Sequence, residues 1–245
     1  MGLSAIMNSI FGRGGRKKPV IKFTSSADDP FVQSLTCKGT ITIESIKDGN
    51  PVVETYSNLT DTLVNIQADA DTEITITGNI IKLDFAVYND DPDVDDYEGC
   101  FDISTVDVRE CRRLKSLSVP YCENITELNL AANTALQYLD CGSTSITELN
   151  LAANTALQYL NCGSTSITEL NLAANTALQN LYCNGCTSVS NISYPATNSD
   201  VSTAIAGAIT KATASDGTVY TDSSAAHYST IADAATAKGW TISKL

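Results

Sequence analysis

Cys183 and Cys186 stand in the tetrapeptide CNGC, the spacing of a metal knuckle. Asp91, Asp93, Asp95 and Asp102 fall at the first, third, fifth and twelfth positions of a calcium-loop pattern. A closed zinc site needs four ligands, and one extra turn residue in a repeated segment already explains the cysteine spacing. The calcium pattern carries Asp96 where the sharp turn wants Gly, and Asp102 where a bidentate Glu is usual, so it is a weak candidate beside a solvated acidic insertion. The single histidine, His227, has no Cys or Ser partner in a recognisable nucleophile motif. GRGGRKK is basic and glycine-rich, yet it follows no strand and opens no helix, which fails the context that phosphate binding requires. The chemistry-bearing residues argue against an enzyme, and no cofactor is expected.

What the chain writes repeatedly is architecture. The 21 residues ITELNLAANTALQYLDCGSTS, from Ile125, recur almost unchanged from Ile146 and from Ile167. A period of this length marks stacked units, each too small to fold alone. In the first copy Ile125, Leu128 and Leu130, then Leu136, Leu139 and Cys141, lie two and three residues apart, which gives a coil with two inward faces. Stacking predicts internal columns: Leu128, Leu149 and Leu170; Cys141, Cys162 and Cys183; Asn133, Asn154 and Asn175. An asparagine column can use its amide donors and its carbonyl on backbone groups at the turns. The column cysteines read as small, reduced core residues. A degenerate unit from Ile103 precedes the regular copies, and a half-unit from Val189 breaks at Pro195.

Four regions follow. Residues 1–22 form an arm in which Leu3, Ile6, Met7, Ile10 and Phe11 share one helical face beside Arg13, Arg16, Lys17, Lys18 and Lys22. Residues 23–102 are β-rich, with period-two runs separated by turns such as KDGNP and ending in the acidic loop. They are expected to cover the first coil of the stack. Residues 103–194 hold the repeats. Residues 195–245 read as helix, strand, helix, strand, the second helix ended by Gly239.

The chain has 245 residues and a formal net charge of −13, yet no acid precedes Asp28. An acidic body repels nucleic acid, so no specific nucleic-acid partner is expected, and contact with phosphate or anionic lipid falls to the arm. Docking of the arm to a partner protein is preferred over membrane contact. No run is long and apolar enough to span a bilayer, and the N-terminus lacks a secretory signal pattern, so synthesis and folding in a cytoplasm are expected.

The pattern N-T-A-L-x-x-L-x-C, followed by a turn and L-x-x-L-x-[LV], together with the C-terminal IADAATAKGWTI, resembles the leucine-rich repeat proteins of gut bacteria and their tailed phages. The resemblance covers about residues 72–245 and implies an α/β repeat fold: a leucine-rich repeat solenoid of about 21-residue coils, with a β-rich N-terminal region and a small α/β C-terminal cap. With a basic arm and no secretion signal, it implies a phage virion component made in the host cytoplasm. The arm would then bind other virion proteins while the solenoid is displayed for decoration or host adhesion. The alternative is a cellular, cytoplasmic repeat module that binds a protein.

Comparing the copies locates the binding surface. The first two differ only at Asp140 and Asn161, while the third has Asn180 in place of Tyr138 and Tyr159, and Tyr182 at the varied position. These six residues alternate with buried Leu and Cys, so they point outwards from one strand column, where they can drift freely or contact a host-surface glycan or protein.

Overall fold

The computed structural model describes residues 18–28, 30–85, 103–194, 199–211, 217–220 and 228–243. The arm residues Leu3, Ile6, Met7, Ile10 and Phe11, the calcium candidates Asp91, Asp93, Asp95 and Asp102, and His227 lie outside the described residues.

Alternating Ile, Val and Thr produce five strands in the N-terminal region: β1 (Val20–Ser25), β2 (Phe31–Lys47), β3 (Asn50–Ser57), β4 (Thr62–Asn65) and β5 (Glu73–Asp84). The β2–β3 hairpin closes through Asp48 and Gly49, with φ of 52° and 71°, the left-handed pair that a two-residue turn needs to match strand twist. Both turn N–H groups donate to the Asp69 carboxylate, at 2.8 and 3.0 Å, which holds that carboxyl below its ordinary range. One face of these strands is apolar and buried, with Ile21, Phe23, Ile43, Ile74 and Ile76 at its centre. Phe23 meets Phe85 edge-on, with ring centroids 5.0 Å apart.

The same region begins the stack. Strand β6 (Ile103–Asp107) pairs antiparallel with β1, and the last residues of β5 pair in parallel with β7 (Ser116–Ser118). From there the ladder continues through β8 (Tyr138–Asp140) and β9 (Tyr159–Asn161). After β10 (Glu169–Asn171), which belongs to a second sheet, it ends on β11 (Asn180–Tyr182). Its middle row is Leu83, Leu117, Leu139, Leu160 and Leu181, all buried. The N-terminal region therefore covers the first coil by supplying a strand of the coils' own ladder, which leaves no apolar end at that side.

At the corners, the side-chain amide of Asn154 donates to the Leu130 and Asn133 carbonyls, at 3.1 and 3.0 Å. Asn175 repeats this on Leu151 and Asn154, and Asn133 on Val108 and Cys111. The expected use of the side-chain carbonyl is not seen: each Oδ1 is buried without a hydrogen-bond partner. The two donors instead give a second hydrogen bond to backbone carbonyls that already accept one N–H each, which ties successive corners together.

The other end is closed by the C-terminal region. β12 (Asn191–Ser193) pairs in parallel with β10. After α1 (Ser199–Lys211), β13 (Thr218–Tyr220) extends that sheet, and after α2 (Tyr228–Lys238), β14 (Thr241–Ser243) completes it. Helix α1 lies against β11, burying Ile205 and Ile209, and the Cys183 thiol donates to the Ala204 carbonyl at 3.4 Å. Gly239, with φ of 80°, ends α2: its N–H bonds Thr236 while Trp240 N–H bonds Ala235, the paired bonds of a Schellman stop. Trp240 packs so closely on Gly217 that a Cβ there would collide with the indole ring. Glycine is required by this contact.

Candidate functional site

The parallel register sorts the outward side chains into two rows. One runs Lys82, Ser116, Tyr138, Tyr159 and Asn180, and the other Asp84, Ser118, Asp140, Asn161 and Tyr182. All six candidates thus share one face, but they are not equivalent.

Tyr138 and Tyr159 occupy the same position in successive coils, and a ladder spacing of about 4.8 Å holds their rings face to face. The centroids are 4.3 Å apart and the planes differ by 9°. Tyr182 belongs to the adjoining row and reaches Tyr159 diagonally, 5.5 Å away and tilted by 39°. Asn180 leaves the end of the tyrosine row open, and Tyr182 is 49% exposed.

The second row is closed at its start and open at its end. Asp84, Ser118 and Asp140 are buried, at 7%, 1% and 8% exposure, and Asn161 is half-buried. Asp140, expected on an open surface, is covered. It also has a structural task, because its Oδ1 accepts the Gly142 N–H at 3.1 Å, and Asn161 accepts the Gly163 N–H at 3.0 Å in the next coil. Each bond forms an Asx turn, and the residue that follows, Ser143 or Ser164, takes a positive φ of 56° or 55°. Tyr182 cannot supply that bond, and its coil places Gly185 at the strained position, φ 78°. Asp against Asn is therefore an exchange between two turn-forming residues.

Burial, the largest cause, and the nearby Asp84 carboxylate push the Asp140 carboxyl up, against the lowering effect of Gly142 and Asn161. The folded protein binds this proton more tightly than the unfolded chain does. The associated stability is present at low pH and is lost as pH rises through the raised value. Asp140→Asn, which spells the residue of the next coil, is expected to melt at or above the parent temperature at pH 7. The difference should shrink as pH falls below the Asp140 value, a comparison that thermal melts at two pH values make directly.

The opposite face carries the other half of each coil. A groove of about 550 Å³ is lined there by Thr147, Glu148, Asn150, Thr168, Glu169 and Asn171. Asn129, Asn150 and Asn171 accept the N–H of Ala131, Ala152 and Ala173, so they too are turn residues. Glu127, Glu148 and Glu169 form an exposed acidic column that the comparison of copies passes over because it never varies. Among the described residues no group of three or more His, Cys, Asp or Glu is placed to hold a metal ion. No helix there is long and apolar enough to cross a membrane. Among the described residues six cysteines are buried free thiols, as expected of core residues. Cys122 differs, being disulfide-bonded.

No protein-family model matches the chain, and no curated protein matches it significantly. Among solved structures it is similar to the functional domain of InlJ from Listeria monocytogenes, described as including a cysteine ladder. The identity is 29% and the TM-score 0.33, over 49% of this chain and 28% of that one. The chain thus spans under a third of that structure's length.

Proposed function

We propose that this chain is a non-enzymatic protein–protein interaction module, built as a leucine-rich repeat solenoid of about 21-residue coils. Its binding face is Tyr138, Tyr159, Asn180, Asn161 and Tyr182. Strands in register at 21-residue offsets, with columns of Leu, Asn and Cys inside, support the solenoid. The tyrosine staircase carries the binding reading, since such rings bring large amphipathic area at low entropy cost. Its geometry favours a protein over a glycan. Tyr138 and Tyr159 each cover one face of the other, and Tyr182 tilts against Tyr159, so the row offers few of the open ring faces that stacking on a sugar needs.

The narrower reading, a virion component held by residues 1–22, rests on the sequence of the arm, and its test is the copy number of the chain in purified particles. The broader reading is tested on the face itself, in cells that express the chain. A photo-crosslinking residue at position 182 should give a discrete protein adduct, and the same residue at Thr168, on the opposite face, should not. With the partner identified, changing Tyr138, Tyr159 and Tyr182 to Ser should weaken binding by more than about 30-fold, the effect of losing roughly 2 kcal/mol at an aromatic hot spot. Folding should survive, with each lost ring contact costing about 0.5 to 1.5 kcal/mol. Equal adducts from both positions, or unchanged affinity in a folded triple variant, would remove the face from consideration.

A further inference from the structure

Cys186 breaks the repeat's own spelling. Three residues after the column cysteines Cys141 and Cys162 the chain writes Thr144 and Thr165, and each hydroxyl donates to the carbonyl of its column cysteine, at 2.8 and 2.7 Å. The third regular coil writes Cys186 at that place, three residues after Cys183. Its thiol donates across the coil boundary to the Cys162 carbonyl at 3.0 Å, with Thr165 Oγ1 3.6 Å from the sulfur. The two side chains are close enough for each thiol to shift the titration of the other. Both are free thiols, 0% and 2% exposed. The degenerate coil spells cysteine at the same turn position, three residues after Val119, and that residue, Cys122, is disulfide-bonded.

We propose that Cys162 and Cys186 are a redox-responsive pair that closes into a disulfide between the second and third regular coils, with hydrogen peroxide or a comparably small peroxide as oxidant. The two thiols are unequal. The neighbouring Cys162 side chain, and to a lesser extent Thr165, lower the Cys186 thiol, against the effect of burial. Burial pushes Cys183, in the same CNGC segment, up to about 12. Cys186 is therefore the nucleophile and Cys162 the resolving thiol. The Cys186 thiolate attacks one peroxide oxygen, the O–O bond breaks, and the released hydroxide takes a proton to become water, leaving a sulfenic acid on Cys186. Cys162 then attacks that sulfur, its proton leaves with the sulfenic oxygen as a second water, and the S–S bond forms. In sum two thiols lose two electrons and two protons, and one peroxide becomes two waters. The product would tie the coil of β11, the last strand of the ladder, to its neighbour through a bridge that closes over 23 intervening residues.

The full chain is the test material, with the thiol state of each cysteine mapped by alkylation and peptide mass spectrometry before and after hydrogen peroxide. Peroxide should join the Cys162 and Cys186 peptides in a cross-link two hydrogens lighter than the separate pair, and raise the melting temperature by about 5 to 10 °C. Cys186→Thr, which restores the residue of the other coils, should fold and melt like the reduced parent and gain nothing from peroxide. The proposal is overturned if both thiols stay alkylatable in peroxide-treated protein after denaturation. It is equally overturned if Cys186 goes on to sulfinic acid, or if the cross-link joins Cys183 instead. Neither thiol lies on the tyrosine face, so these outcomes leave the binding proposal untouched.

Discussion

Asn154→Ala is expected to lower the unfolding free energy by about 1 to 3 kcal/mol, the sum of two buried hydrogen bonds at roughly 0.5 to 1.5 kcal/mol each, because the backbone N–H groups of Asn133 and Leu136 still reach the two carbonyls. The carbonyls are those of Leu130 and Asn133, and the Asn154 side chain is fully buried between them and the coil that follows. Chemical denaturation measures the loss. Asn154→Asp separates its origin, because it keeps the volume and removes the amide. If donors matter, Asp should be at least as harmful as Ala. If filling space matters, Asp should recover most of the loss, and the corner hydrogen bonds would then contribute little. The column's first position shows why asparagine is not needed everywhere. Cys111 stands there, and its thiol donates at 3.6 Å to the carbonyl of Val20 in β1, so that among the described residues one acceptor is served at this position instead of two.

Most of the inward pattern was legible because repetition writes it three times. Every apolar position read as internal in the first copy, from Ile125 to Cys141, is buried. The β-rich region, the two C-terminal helices and the Gly239 stop follow from local signals of period and cap, which do not depend on distant contacts. The outward face was less legible. A difference between copies looks like surface variation, yet Asp140 and Asn161 are held by the turns they make, and that role depends on the backbone angles of Ser143 and Ser164. Period alone also hides burial, as the covered Asp84, Ser118 and Asp140 show. The Cys162–Cys186 approach was hidden for a third reason. The two residues are 24 apart in sequence, and only the stacking of unequal turns brings the thiol of one coil over the carbonyl of another.

Excising residues 146–166 should give a folded, soluble protein, whereas excising residues 136–145 should not. The first deletion joins Ser145 to Ile167 and brings Tyr138, Leu139 and Asp140 against Asn180, Leu181 and Tyr182, so that a Leu still faces a Leu. Asn175 would then meet the Leu130 and Asn133 carbonyls that Asn154 now satisfies. The shortened stack should lose about 4.8 Å in length and roughly 1 to 3 kcal/mol in stability, at 0.05 to 0.15 kcal/mol per residue removed. The second deletion takes fewer residues but does more harm. It removes Leu136, Leu139 and Cys141, and with them β8, the strand that joins β7 to β9. The remaining half-coil cannot turn back to the ladder, so β7 and β9 would each expose an unpaired edge and an apolar side. Circular dichroism and size-exclusion chromatography distinguish the two. If both variants aggregate, the coils are not interchangeable units. If both fold, the strand ladder is not what holds the stack together.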